Sequence, residues 1–197
     1  MTSTGTLALI ERSVEHRFAR NGDKRIHVAT AGEGRLVLFL HGFPDHWLTW
    51  HAVMASFLKS HRVAAMDLRG FNLSDQPLEA GDYDLSVLVD DVAAVIQACG
   101  AKSAVIVGHD WGGWLAWQVA MKRPELVDGL VILNMPHPWA IARELALNPK
   151  QEEASAYVRA FQTPGAEAAV PLERLGQWIT DPAYRERHDE AFARTTL

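Results

Sequence analysis

The chain has 197 residues, 48% of them hydrophobic, and a formal net charge of −5, a balance that suits one globular domain with a real core. Nothing in it supplies a basic face for nucleic acid or an acidic membrane, and no run reaches the ~20 apolar residues that span a bilayer. The first ten residues carry no basic stretch ahead of a long apolar run, and the single cysteine, Cys99, cannot staple a secreted fold, so a cytoplasmic setting is expected.

Residues 13–18 and 25–30 read as two extended runs flanking Asn21-Gly22, a hairpin turn signal. Leu36 to Leu40 is a continuous apolar run, the texture of a strand buried on both faces of a parallel sheet. Residues 47–59 read as a helix and Val63 to Met66 as the next strand. Over 84–98, Leu85, Leu88, Val89, Val92 and Ile96 fall on one helix face. Ala104 to Val107 is another buried strand, a helix follows from Trp111 to Lys122, and Leu130 to Leu133 is a further strand. This βαβαβ order predicts an α/β fold, a mainly parallel sheet with helices on both faces. After Pro136 the texture turns helical with polar faces, Gln151 to Glu153 and Arg185 to Glu190 among them. The division expected is a core over 1–137 and the start of a helical cap over 138–197.

Two loops carry the chemistry. Gly108-His109-Asp110-Trp111-Gly112-Gly113 joins a predicted strand to a predicted helix and has the Gly-x-nucleophile-x-Gly pattern, with Asp where Ser is commoner. Alone, the pattern also fits an Asp capping a helix. The second loop, His41-Gly42-Phe43-Pro44, follows a buried strand and alone is compatible with a simple turn. Together, each at the end of a strand, they are far more specific. In a nucleophile elbow of this kind the oxyanion donors are the backbone N–H of a residue in the earlier loop and that of the residue after the nucleophile, here Phe43 and Trp111.

These segments resemble the epoxide hydrolases of the α/β-hydrolase superfamily. His41 to Pro44 with Trp47 and Trp50 is similar to their HGFP…W…W stretch, and Asp67 to Asp75 to their D-x-R-G-x-x-x-S-D loop. Gly108 to Gly113 resembles the GHDWGG elbow, Asn134 to Pro138 the N-x-P-H-P segment, and Tyr157 to Gly165 the cap motif Y-x-x-x-F-Q-x-P-G. The resemblance implies an α/β-hydrolase-type sheet, Asp110 as nucleophile, and Tyr157 as the cap tyrosine that polarises the epoxide oxygen. No metal or organic cofactor is implied, and the histidines show no metal-ligand spacing. The family's acid, its water-activating histidine, a second cap tyrosine and the closing strands all follow the cap. The chain is therefore expected to lack them, whether as part of a longer enzyme or as a short form, and His188 falls in the cap-like segment rather than where that histidine belongs.

The residue type narrows the reaction. A carboxylate, with an ordinary pKa near ~3.9, is charged at neutral pH without a base. Its attack on an ordinary ester would give an unfavourable anhydride, whereas attack on saturated carbon gives a stable alkyl ester, which points to an epoxide or an alkyl halide. An opened epoxide leaves as an alkoxide and wants an acid, a role for a tyrosine. Typical haloalkane dehalogenases have Asn where this chain has Phe43, and fluoroacetate dehalogenases usually have Arg where it has Trp111. Epoxide hydrolysis to a vicinal diol is the leading expectation, with a small-molecule epoxide as partner. A haloalkane or haloacid dehalogenase using the same Asp110, or a non-catalytic ligand-binding protein on this fold, are the alternatives. His41 and His109 are expected to make structural hydrogen bonds, Asp67 to order the 69–75 loop, and His137 to have little to do with substrate.

Overall fold

The computed structural model describes residues 2–163, 165–166 and 184–188. Six strands form one sheet: β1 (Glu15–Asn21), β2 (Lys24–Ala31), β3 (Leu36–Leu40), β4 (Arg62–Met66), β5 (Ala104–His109) and β6 (Val127–Leu133). Their spatial order is β1-β2-β4-β3-β5-β6. β1 pairs with β2 and β2 with β4 antiparallel; β4, β3, β5 and β6 run parallel. From β3 the chain steps to β4 on one side, then crosses to β5 on the other. The carboxyl ends of β3 and β5 therefore flank a topological switch point, where open α/β sheets hold their ligands.

The apolar runs are continuous because the central strands are covered on both faces. Leu36, Leu38, Leu40, Ala64, Met66 and Ile106 join one core with helices α3 (Leu85–Ala98) and α4 (Trp111–Lys122). Val37, Phe39, Val63, Ala65 and Val107 join the other, with Trp47, Trp50 and Met54 of the turn Trp47–Trp50 and of α2 (His51–Phe57). Successive strand residues point to opposite faces, so one apolar run feeds two cores.

Several elements differ from the sequence reading. Ser3–Ser13 is a helix, α1, capped by the Thr2 hydroxyl, which accepts from the Gly5 N–H at 3.3 Å. It buries only Leu7 and Ile10 of its apolar side chains, too sparse a stripe to show as periodicity. The hairpin turn is Gly22-Asp23, one residue past the predicted dipeptide. Asn21 instead closes β1, and its amide donates to Asp91 Oδ1 (2.8 Å) and to the Val87 carbonyl (3.0 Å). β6 begins at Val127, and among the described residues it pairs with β5 alone. Helices α5 (Pro138–Leu147), α6 (Pro149–Ala154) and α7 (Ala156–Phe161) follow it. Of the predicted polar face over 185–190, Arg185 and Glu186 are exposed, but Tyr184 and His188 are buried. Asp189, Glu190 and the rest of the expected cap over 167–183 and 191–197 lie outside the described residues. No described helix is long and apolar enough to cross a membrane.

A buried ion pair ties the hairpin, the loop after β4 and α3 together. Arg69 donates to Asp91 twice, Nε to Oδ2 at 2.8 Å and Nη2 to Oδ1 at 2.6 Å, with both side chains almost wholly out of water. Removing one partner strands a buried charge. Asp91→Ala is expected to lower the unfolding free energy by about 3–5 kcal/mol, read from urea denaturation. A change under about 1 kcal/mol would show that the guanidinium is solvated.

Candidate active site

Asp110 stands between the last residue of β5 and the first of α4. Its backbone has φ 52° and ψ −119°, a conformation that costs a non-glycine residue about 1–3 kcal/mol. Two bonds hold it there. Its N–H donates to the Leu133 carbonyl at 3.2 Å, and its carbonyl accepts from the Trp114 N–H at 2.9 Å. The carboxylate accepts nothing from the first turn of α4, so Asp110 is not an ordinary helix cap. The elbow is tight because its glycines allow backbones to touch. A Cβ on Gly108 would run into the Gly112 backbone, and one on Gly112 into the carbonyls of Leu40 and His41.

The loop after β3 meets that carboxylate. A Cβ on Gly42 would lie 2.5 Å from Asp110 Cβ and 2.8 Å from its Oδ1, so the site accepts only glycine. The Phe43 N–H donates to Asp110 Oδ1 at 3.1 Å. The carbonyl of the same peptide, Gly42 O, accepts from the Asp45 N–H at 2.9 Å and lies 2.9 Å from His41 Nδ1. His41 Nε2 accepts from the Leu68 N–H at 3.0 Å, which places the ring proton on Nδ1 and makes that nitrogen the donor to Gly42. His41 is fully buried, and burial holds its pKa below the ordinary value, keeping this tautomer neutral. Trp111 opens α4, so its N–H has no acceptor within the helix; its ring is 45% exposed and meets Trp114 edge-on at 5.8 Å. Pro44 supplies a carbonyl that lies 3.1 Å from His188 Nε2.

The other predicted residues are spread more widely. Tyr157 lies on α7, 57% exposed. Its ring meets Phe161 at 5.8 Å, and Phe161 meets Phe43 at 5.9 Å, so an aromatic row runs from the tyrosine to the loop after β3. No hydrogen bond joins the Tyr157 hydroxyl to Asp110. His109 makes no side-chain hydrogen bond to a described residue, contrary to the structural role expected; half-buried at the end of β5, it keeps access to water instead. His137 caps α5, its Nδ1 accepting from the Trp139 N–H at 3.2 Å, with its ring against Trp117.

Asp67 orders its loop, as expected, and does more. Its carboxylate accepts from Trp47 N–H, His27 Nδ1, Asn72 Nδ2 and Leu73 N–H at 2.7 to 3.3 Å. Burial alone would raise this carboxyl, but the His27 hydrogen bond and the neighbouring imidazoles outweigh it, and the pKa sits below the usual value. His27 in turn lies 2.8 Å, Nε2 to Nδ1, from His16. Neither this chain nor the rings of Phe71 and Phe161 had a sequence signal beyond the loop and cap motifs that contain Asp67, Phe71 and Phe161.

Gly42→Ala is expected to push the carboxylate off the Phe43 N–H, seen as displacement of Asp110 in a crystal structure of the variant; an unmoved side chain would refute the steric argument. Burial also pushes His46 down to about 3, and neither of its ring nitrogens has a hydrogen-bond partner among the described residues. The unfolded chain takes up its histidine protons near pH ~6.5, while folded His46 stays neutral to about 3, so stability is full above that upper value and falls with acid. Urea unfolding at pH 7 and pH 5 should show a loss of up to about 1.4 kcal/mol per pH unit for each such histidine, shallower in His46→Phe. Equal stability at the two pH values would sink the claim.

Comparison with known proteins places this geometry among relatives. The family model for the alpha/beta hydrolase fold matches residues 35–174. Epoxide hydrolase 3 of Xenopus tropicalis is 39% identical over 154 residues, 76% of this chain and 42% of the relative. Human Epoxide hydrolase 4 is 38% identical over 153 residues, again 42% of its own length. The chain thus spans about two-fifths of the length of these curated relatives. Among solved structures, an epoxide hydrolase from Bacillus megaterium superposes with a TM-score of 0.84 at 31% identity, over 92% of this chain and 68% of that one.

Proposed function

From the premise that the chain belongs to the epoxide hydrolase branch of the alpha/beta hydrolase fold family, we propose that Asp110 opens an epoxide by forming an alkyl ester with it. One observation carries the reading: a strained, non-capping carboxylate whose Oδ1 meets the Phe43 N–H. With Oδ1 so occupied, Oδ2 is the attacking atom. Its lone pair forms a bond to a ring carbon, the carbon–oxygen bond of the epoxide breaks, and the electron pair stays on the departing oxygen. Tyr157 polarises that oxygen and supplies its proton. Oδ1 becomes the ester carbonyl oxygen already in place against Phe43, with the Trp111 N–H as second donor when hydrolysis later puts negative charge there.

The second step needs a histidine oriented by an acid to activate water. The one histidine–carboxylate hydrogen bond among the described residues, His27 to Asp67, is wholly buried, and His41 is committed at both nitrogens. We read residues 1–137 as the hydrolase core and 138–197 as cap, with base and acid supplied from outside the stretch seen here. The whole enzyme would then release a vicinal diol.

The test is incubation with styrene oxide followed by intact-mass measurement and peptide mapping. One equivalent should add at Asp110 and none in Asp110→Asn, and the adduct should persist. Steady diol release by this polypeptide would refute the missing base, and halide release from a chloroalkane without reaction with epoxide would favour a dehalogenase.

A further inference from the structure

The turn Gly42-Phe43-Pro44-Asp45 is closed by the Asp45 N–H, which donates to the Gly42 carbonyl at 2.9 Å. Its far end is gripped by residues from a distant part of the chain. His188 Nε2 lies 3.1 Å from the Pro44 carbonyl. A carbonyl oxygen only accepts, so that nitrogen carries a proton and donates it. The Tyr184 hydroxyl donates to Asp45 Oδ1 at 2.5 Å, and Thr49 Oγ1 donates to Oδ2 of the same carboxylate at 3.3 Å.

These bonds connect to Asp110 through two rigid planes. The Pro44 carbonyl and the Asp45 N–H are opposite edges of one peptide, as are the Gly42 carbonyl and the Phe43 N–H. His188 therefore fixes the first plane, the Asp45 N–H passes its position to the second, and the Phe43 N–H delivers it to Asp110 Oδ1. The two side chains at the start of this line are themselves held. Tyr184 is 5% exposed and His188 1%. The tyrosine ring stacks on His51 at 6.0 Å, tilts against His46 at 5.6 Å and meets His188 edge-on at 6.0 Å. Burial, with the Asp45 carboxylate beside it, holds the Tyr184 pKa well above its ordinary value, so the hydroxyl keeps the proton it donates. Arg187 Nε donates to Glu11 Oε1 at 3.0 Å and ties the same stretch to α1. Residues that merely filled space would need no polar tips, yet both tips here end on consecutive residues of one turn.

We propose that Tyr184 and His188 are positioning residues for the reaction: they clamp the Pro44-Asp45 end of the turn and so aim the Phe43 N–H at Asp110 Oδ1. The consequence for alkylation rests on the reaction proposed above; the clamp itself does not. The test reads amide hydrogen exchange at Phe43 by NMR, and Asp110 alkylation by styrene oxide by intact mass. Tyr184→Phe keeps the ring and removes the hydroxyl, His188→Leu removes the donor, and His188→Gln keeps a donor at that place. In the first two variants the Phe43 amide is expected to exchange at least about tenfold faster, the scale of one lost hydrogen bond to a charged group, while the amides of β3 keep their rates. Alkylation should slow with it, and His188→Gln should stay near the unaltered protein in both readouts. If His188→Leu does not fold, Tyr184→Phe decides. Exchange at Phe43 that is unchanged, or faster only in step with β3, would overturn the clamp. Faster exchange with an unchanged alkylation rate would overturn its part in the reaction. No alkylation of the unaltered protein would overturn the reaction, with the clamp still judged by exchange.

Discussion

The peptide joining Gly42 to Phe43 is held by both of its edges. Its carbonyl is fixed by the Asp45 N–H and the His41 ring, and its N–H is aimed at Asp110 Oδ1. A peptide plane is rigid, so fixing one edge aims the other. The rest of the site is arranged around that constraint. Gly42 has no side chain because the carboxylate occupies its space, burial keeps His41 neutral with both of its nitrogens engaged, and Leu68 gives up its N–H to keep the imidazole in register. A donor aimed in advance needs no reorganisation when charge develops, which is where such hydrogen bonds act most strongly.

Behind this lies a second layer that holds the loops rather than the reacting atoms. Asp67 gathers four donors from the β2 strand, the turn at Trp47 and its own loop, and Leu68 is the next residue along. Arg69, one further, is clamped to α3 by Asp91. Three consecutive residues after β4 are thus fixed by three different means: a hydrogen-bonded carboxylate, a backbone bond to His41 and a buried ion pair. Each costs desolvation of polar groups, which the hydrogen bonds formed between the partners offset.

The strands over 36–40, 63–66 and 104–107 were legible in the sequence because burial on both faces leaves an unbroken apolar run, and the helices over 85–98 and 111–122 because their apolar stripes or glycine-rich starts are strong. The elbow was legible for a steric reason: glycine is demanded where backbone meets backbone at Gly108 and Gly112. Other features were not legible because they depend on residues far apart in the chain. α1 buries two apolar side chains against a distant face. His109 has a histidine's hydrogen-bonding capacity but no described partner, which only the end of β5 reveals. A cavity beside Trp111 is lined, among the described residues, by segments from Met66 to Leu115 that no local pattern joins. Tyr157 is linked to the Phe43 loop by its motif and an aromatic row rather than by a contact with the carboxylate.

The Asp110 amide hangs from the Leu133 carbonyl, the last residue of β6, and β6 is the outermost strand of the described sheet on that side. Asp110 is thereby suspended from an outer strand of the described sheet. Stiffness at that edge and alignment of the Asp110 carboxylate are one mechanical quantity. Anything that braces the outer side of β6 tunes the elbow without touching it, and a fraying edge would let the strained φ of Asp110 relax toward an ordinary helix start.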